Sequence, residues 1–222
     1  MKIMLFGATG MVGASVLREA LHSADIESVL SVSRHECGVS HPKLRELLLP
    51  DLFNFSAGEE QFTDYDACIW AIGVSSVGLD EARYAIITEV LTLRWAQTLL
   101  RLNPDIAFCY CSAGGAGGPG MWARVRRRVE DSLKAMPFRH AGAVRPGFIR
   151  PGSGIKSKTK GYQMGVILLK PLFFFTPLLM RLFPGLFTTS EILGRAMLRV
   201  AQGRADRFIL ESADINKLGS AE

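Results

Sequence analysis

Within the first fifteen residues an apolar run, Met1-Lys2-Ile3-Met4-Leu5-Phe6, leads into glycines spaced three apart, Gly7, Gly10 and Gly13, with an amphipathic stretch behind them. That order reads as a buried strand, a tight turn and the start of a helix. The chemistry such a turn can do is phosphate binding. Gly7 permits the turn, Gly10 lets backbone approach a pyrophosphate, and Gly13 lets the helix pack on the strand. The backbone through Thr9, Met11 and Val12 then offers amides at the positive end of a helix dipole. After the next apolar run comes Arg34, about 20 residues past the glycines, where this kind of fold meets the adenosine ribose. An acid there takes the 2′-hydroxyl of NAD, whereas an arginine accommodates the 2′-phosphate of NADP, so the expected cofactor is NADP(H).

The elements that must position these groups follow the apolar periodicity. Val12, Val16, Leu17, Ala20 and Leu21 give a first helix, and Ser28 to Ser33 a second strand ending at Arg34. Leu44 to Leu49 gives a third strand, closed by Pro50-Asp51-Leu52, where Asp51 can form the turn after the proline. Ala67 to Ile72 is a buried strand that runs into Gly73-Val74-Ser75-Ser76, small residues that let backbone lie against a cofactor at Gly73 and Val74. Asp80 to Leu102 reads as one long helix, Ile106 to Cys111 as a fifth strand, and Phe138 to Val144 as a sixth. Thr188 with Glu191 has capping-box spacing at the head of a further helix, followed by an edge strand over Phe208 to Leu210 and a short helix over Asp214 to Leu218. Strands alternating with helices predict a Rossmann-like, doubly wound parallel α/β sheet. The chain of 222 residues suits one unit over 1–222, with 151–187 as a small helical substrate or interface lobe.

Composition narrows the field. At 48% hydrophobic and 21% charged residues the chain is globular. The net charge of +5 gathers in Arg124, Arg126, Arg127 and Arg128 and in Lys156, Lys158 and Lys160, which a polyanionic small ligand explains without nucleic acid. There is no alternation of aromatic and basic residues of the kind that stacks bases. Cys37, Cys68, Cys109 and Cys111 have no metal-ligand spacing, so no metal is expected, and they imply a reduced, cytoplasmic interior.

The turn Gly7-Ala8-Thr9-Gly10-Met11-Val12-Gly13, the loop Gly73-Val74-Ser75-Ser76, the run Met121-Trp122-Ala123-Arg124-Val125, the turn Arg145-Pro146-Gly147-Phe148-Ile149 and the start Thr188-Thr189-Ser190-Glu191 together resemble the atypical short-chain dehydrogenase/reductases. The similarity is to the NAD-dependent epimerase-like subfamily around the HIV Tat-interactive protein 2 oxidoreductase, and it spans essentially the whole chain. It implies a catalytic serine at the fifth strand end, which Ser112 fills, a nicotinamide contact at Pro146-Gly147 and, as the other reading of Asp51, an adenine contact at Asp51 and Leu52. It also implies a Tyr-x-x-x-Lys pair on the following helix, and there the chain departs: the nearest register puts Trp122 at the tyrosine and Arg126 at the lysine. Indole cannot give and take a proton as a phenol does. Arg126 keeps the positive charge, and so a cofactor contact, but cannot relay protons. Arg145 either reaches an anionic substrate or pairs with an acid.

Residues 161–187 are rich in apolar side chains, but Lys170, Arg181 and the prolines Pro171, Pro177 and Pro184 interrupt any membrane span. They line a greasy pocket, form a homo-oligomer interface, or lie on a bilayer surface. Two functions fit this chain: an NADP(H)-dependent oxidoreductase or epimerase-like enzyme acting on a small, hydrophobic carbonyl or alcohol, or a catalytically impaired NADPH-binding regulatory protein that acts through partner surfaces.

Overall fold

The computed structural model describes residues 1–54, 58–152 and 185–221. Lys156, Lys158 and Lys160 and most of the expected 151–187 lobe therefore lie outside the described residues. Seven strands form one parallel sheet: β1 (Lys2–Phe6), β2 (Ser28–Ser33), β3 (Leu44–Leu48), β4 (Ala67–Trp70), β5 (Ala107–Cys111), β6 (Ala141–Arg145) and β9 (Ile209–Glu211), in the order β3-β2-β1-β4-β5-β6-β9. The chain leaves the middle of the sheet in one direction from β1 and returns on the other side at β4. Between those two strands the crossovers diverge, opening a crevice at the carboxyl ends. A separate parallel pair joins β7 (Phe148–Arg150) to β8 (Phe187–Thr189).

Both faces of the central strands are covered, as the apolar runs of β1, β4 and β5 require. Ile3, Leu5, Ile69 and Cys109 point to one face, where α1 (Met11–His22) and α5 (Ser190–Ala201) lay down Val16, Leu17, Leu193 and Met197. Met4, Phe6, Trp70, Phe108 and Tyr110 point to the other, against α3 (Leu91–Leu102) and α4 (Met121–Ala135), which contribute Trp95, Leu99, Val129 and Leu133. Trp95 binds that layer together: its ring lies 4.6 Å from Phe6 and 5.0 Å from Phe62, and its Nε1 donates to the Leu52 carbonyl at 2.9 Å.

Several expected boundaries move for local reasons. The long helix over Asp80 to Leu102 forms, but a π-helical turn at Ile86–Val90 divides α2 (Glu81–Ala85) from α3. Such a turn is a common mark of a functional site. The helix after β5 starts at Met121, because Gly115 and Gly117 take positive φ and hold the preceding glycines in turns. Thr189 rather than Thr188 caps α5, accepting from the Ile192 amide at 3.3 Å. The capping box forms instead at α6 (Ser212–Ser220), between Glu211 and Asp214.

Candidate nucleotide-binding and active site

At the carboxyl ends of β1, β2, β4 and β5 lies a cleft of about 700 Å³. Its floor is the first turn. Gly7 has φ +89°, and a Cβ placed on it would stand 2.7 Å from the Ala71 carbonyl oxygen of the neighbouring strand. Gly13 is tighter still, since its Cβ would meet the Gly7 carbonyl oxygen at 2.1 Å. These two positions bring α1 down onto β1. Gly10, the N-cap, donates to the Gly7 carbonyl at 2.9 Å and carries no side chain to cap the helix, which leaves the amides of the first turn open to an anion. Gly7, Thr9, Gly10, Met11 and Val12 line the cleft, while Gly13 sits behind them as a packing residue.

One end of the cleft is walled by Ser33, Arg34 and His35 after β2 and by Pro50 to Phe53 after β3. Arg34 is exposed there and makes no ion pair among the described residues. Asp51 accepts from the Phe53 amide at 2.9 Å, so its carboxylate makes the turn that shapes this wall.

The other end gathers Gly73 and Val74 after β4, Cys111, Ser112 and Ala113 after β5, Arg126 from α4, and Pro146, Gly147 and Ile149. The Gly147 amide is tied to Ser212 Oγ at 2.8 Å and the Pro146 carbonyl to the Gly114 amide at 2.8 Å, which fixes the turn against both the C-terminal helix and the β5 loop. Burial pushes the Cys111 thiol up to about 11, with the Arg126 charge opposing the rise, so it is no nucleophile at neutral pH.

Ser112 is almost wholly buried, and its hydroxyl donates to Glu130 Oε1 at 2.5 Å. Glu130, fully buried on α4, also takes two N–H groups of Arg145, whose remaining edge donates to Glu211 at 2.9 Å. These bonds to Glu130 and Glu211 hold the Arg145 guanidinium above its already high range. Of the two roles open to Arg145, pairing with an acid is the one formed. Arg126 is held in the cleft wall by Tyr84, whose hydroxyl accepts from Nε at 3.0 Å, and by the Cys111 carbonyl, which accepts from Nη1 at 3.1 Å. The structure does not bring Trp122 to the cleft. Its indole lies against Gly115 and Gly120 instead, 3.4 Å and 3.1 Å from where their Cβ atoms would be.

Glu130, Tyr84, Glu211 and Ser212 escape a motif search. Glu130 alone carries a signal, because it stands in the apolar stripe of α4 with Arg126, Val129 and Leu133, where an acid must find a buried partner.

No family model matches the chain. The protein FMP52, mitochondrial, of Chaetomium globosum is 23% identical over 234 residues, spanning 99% of this chain and 97% of its own length. Among solved structures, a short-chain dehydrogenase/reductase from Saccharomyces cerevisiae superposes with a TM-score of 0.68 at 13% identity, over 98% of both chains. The enzyme WbmH of Bordetella bronchiseptica, in complex with NAD⁺, does so with a TM-score of 0.65 at 15% identity, covering 91% of this chain and 72% of its own. The fold is therefore the Rossmann-like fold that such dehydrogenases share. Among the described residues no helix is long and apolar enough to cross a membrane, and no group of three or more potential ligands gathers to hold a metal.

Proposed function

We propose that this chain is an NADP(H)-binding oxidoreductase of the atypical short-chain type, acting on an alcohol or carbonyl compound. The observation that carries the reading is the cradle at Gly7 and Gly13, where no side chain fits and where uncapped helix amides face the cleft. Bound there, a nicotinamide dinucleotide supplies a hydride acceptor or donor. Gly73, Val74, Pro146 and Gly147 give the nicotinamide end backbone walls, and Arg34 offers its free guanidinium to the 2′-phosphate at the other end. Arg34→Ala is expected to weaken NADPH binding about tenfold and leave NADH binding unchanged, as read by calorimetric titration. Equal losses for the two cofactors would remove the NADP preference.

Ser112 gives its one proton to Glu130 and so presents only lone pairs to the cleft, the arrangement that orients a substrate hydroxyl. Glu130 is clamped by Arg145, which leaves the released proton to water. Ser112→Ala is expected to lower turnover at least about tenfold with NADPH affinity within about twofold of wild type. Unaltered turnover would refute the role.

A second reading, an NADPH-binding regulator without turnover, is favoured by one observation: among the described residues no tyrosine and no lysine lines the cleft where the resembled family keeps its Tyr-Lys pair. Hydride transfer by the wild type to any carbonyl compound would sink it. The four free cysteines fit a reducing compartment; the sequence suggests the cytoplasm, whereas the fungal relative is named mitochondrial.

A further inference from the structure

Among the described residues Arg126 is a buried cation without a counter-ion. Its residue is 9% exposed, and the groups that hold it, the Tyr84 hydroxyl and the Cys111 carbonyl, are neutral. Among the described residues no carboxylate pairs with it. Glu130, one helical turn along α4, is taken up by Arg145 and Ser112. The other charged residues lining the cleft, Arg34 and Asp51, are both exposed and stand at the far end, after β2 and β3. Burying a guanidinium beside neutral acceptors alone is costly, and the cost is recovered when a bound group brings a negative charge.

The guanidinium is also aimed. With Nε spent on Tyr84 and Nη1 on Cys111, Nη2 lies 3.5 Å from where a Cβ on Gly73 would be, on the cleft wall between the β4 and β5 loops. Nη2 has no protein partner among the described residues, so a planar donor edge is left toward the ligand. Around it the wall is apolar, formed by Val74, Ile87, Leu91 and Ile149. A neutral ribose diol would satisfy the hydrogen bonds but not the charge. A carboxylate satisfies both, and guanidinium matches it in shape.

We infer that Arg126 binds the carboxylate of the substrate, which makes the substrate an apolar hydroxy acid that is oxidised to its oxo acid: Arg126 grips the acid group while Ser112 accepts from the neighbouring hydroxyl. Tyr84 is then a positioning residue, one that fixes the guanidinium plane without touching ligand. The inference rests on the oxidoreductase reading for its reaction, but not for its binding step.

The test titrates benzoate, and benzamide as its uncharged counterpart, into the protein saturated with NADPH and into the cofactor-free protein. Benzoate is expected to bind at least about tenfold more tightly than benzamide. Arg126→Met should erase that preference, Arg126→Lys should retain part of it, and Tyr84→Phe, which keeps the cation but frees its plane, should weaken benzoate several-fold with benzamide unmoved. Equal binding of the two probes by wild type, or a preference that survives Arg126→Met in a folded variant, would overturn the inference. So would a fall in NADPH affinity as the sole effect of Arg126→Met, because the cation would then serve the cofactor ribose. If wild type fails to bind NADPH at all, the proposed function falls, and the cofactor-free titration still decides whether Arg126 selects an acid.

Discussion

Gly13→Ala is expected to abolish dinucleotide binding, leaving no saturable NADPH titration at concentrations that fill the wild type. The added methyl would stand 2.1 Å from the Gly7 carbonyl oxygen and 2.9 Å from the Ala8 amide nitrogen. Both are backbone atoms of the turn itself, so no rotamer change relieves the contact. Either α1 lifts off β1 or the turn opens, and each displaces the amides that face the cleft. The lift is resisted from behind, because α5 approaches α1 closely enough that a Cβ on Gly194 would lie 3.0 Å from the Ser15 carbonyl. Overpacking of this kind costs about 1–3 kcal/mol or more, which lowers the melting temperature by about 2–4 °C per kcal/mol in a chain of this size. Gly10→Ala is the control for the fold alone: its methyl would lie 3.3 Å from the Gly7 oxygen, small shifts absorb it, and the melting temperature should stay near that of wild type even where binding falls. A Gly13→Ala protein that bound NADPH as wild type does would show that the cradle is only a turn.

The contrast between those two glycines shows what the sequence carries. A Gly-x-x-Gly-x-x-Gly turn after an apolar run encodes a strand, a turn and a helix through local rules alone, so β1, α1 and the alternation that follows are legible from periodicity. Ser28 to Ser33 reads correctly as a strand for a related reason, because a strand buried on both faces of a parallel sheet takes only apolar and small residues, here Val29, Leu30 and Val32 among serines. The π-helical turn at Ile86–Val90 is not legible, since an extra residue in a helix leaves the apolar spacing almost unchanged while rotating everything before it. Tyr84 lies on the far side of that turn, and its hydroxyl meets Arg126 across 42 residues of chain. The site divides in the same way. The turn that floors the cleft is announced by its glycines and the far wall by Arg34 at the end of an apolar run, whereas the charged groups behind the cleft are placed by tertiary contacts that spacing does not encode. Trp122 fills the tyrosine position in the alignment of motifs, yet the turns at Gly115 and Gly117 put its ring against the loop.

The buried charges behind the cleft carry the second large effect. Glu130→Ala should destabilise the fold by about 3–5 kcal/mol, because it leaves Arg145, itself 9% exposed, with one partner at the rim and nothing for the Nε and Nη2 donors. Those donors span the parts that shape the nicotinamide end: Arg145 closes β6 and precedes Pro146-Gly147, Glu130 belongs to α4, and Glu211 ends β9. Removing the carboxylate also frees the Ser112 hydroxyl, so the loss reaches the cleft as well as the core. Glu130→Gln keeps the shape but one amide cannot accept as two carboxylate oxygens do, which places its cost between wild type and alanine. The decisive comparison is with the double variant Glu130→Leu, Arg145→Met. If the cost of Glu130→Ala is the stranding of a buried charge, the double variant should be more stable than the single one, although it has lost more native contacts. If the double variant is the less stable of the two in denaturant unfolding, the network is held by its packing and not by the pairing of its charges. In either case the double variant should bind NADPH more weakly than wild type, because the polar anchors of the Arg145-Pro146-Gly147 turn are then reduced to the Ser212 and Gly114 bonds.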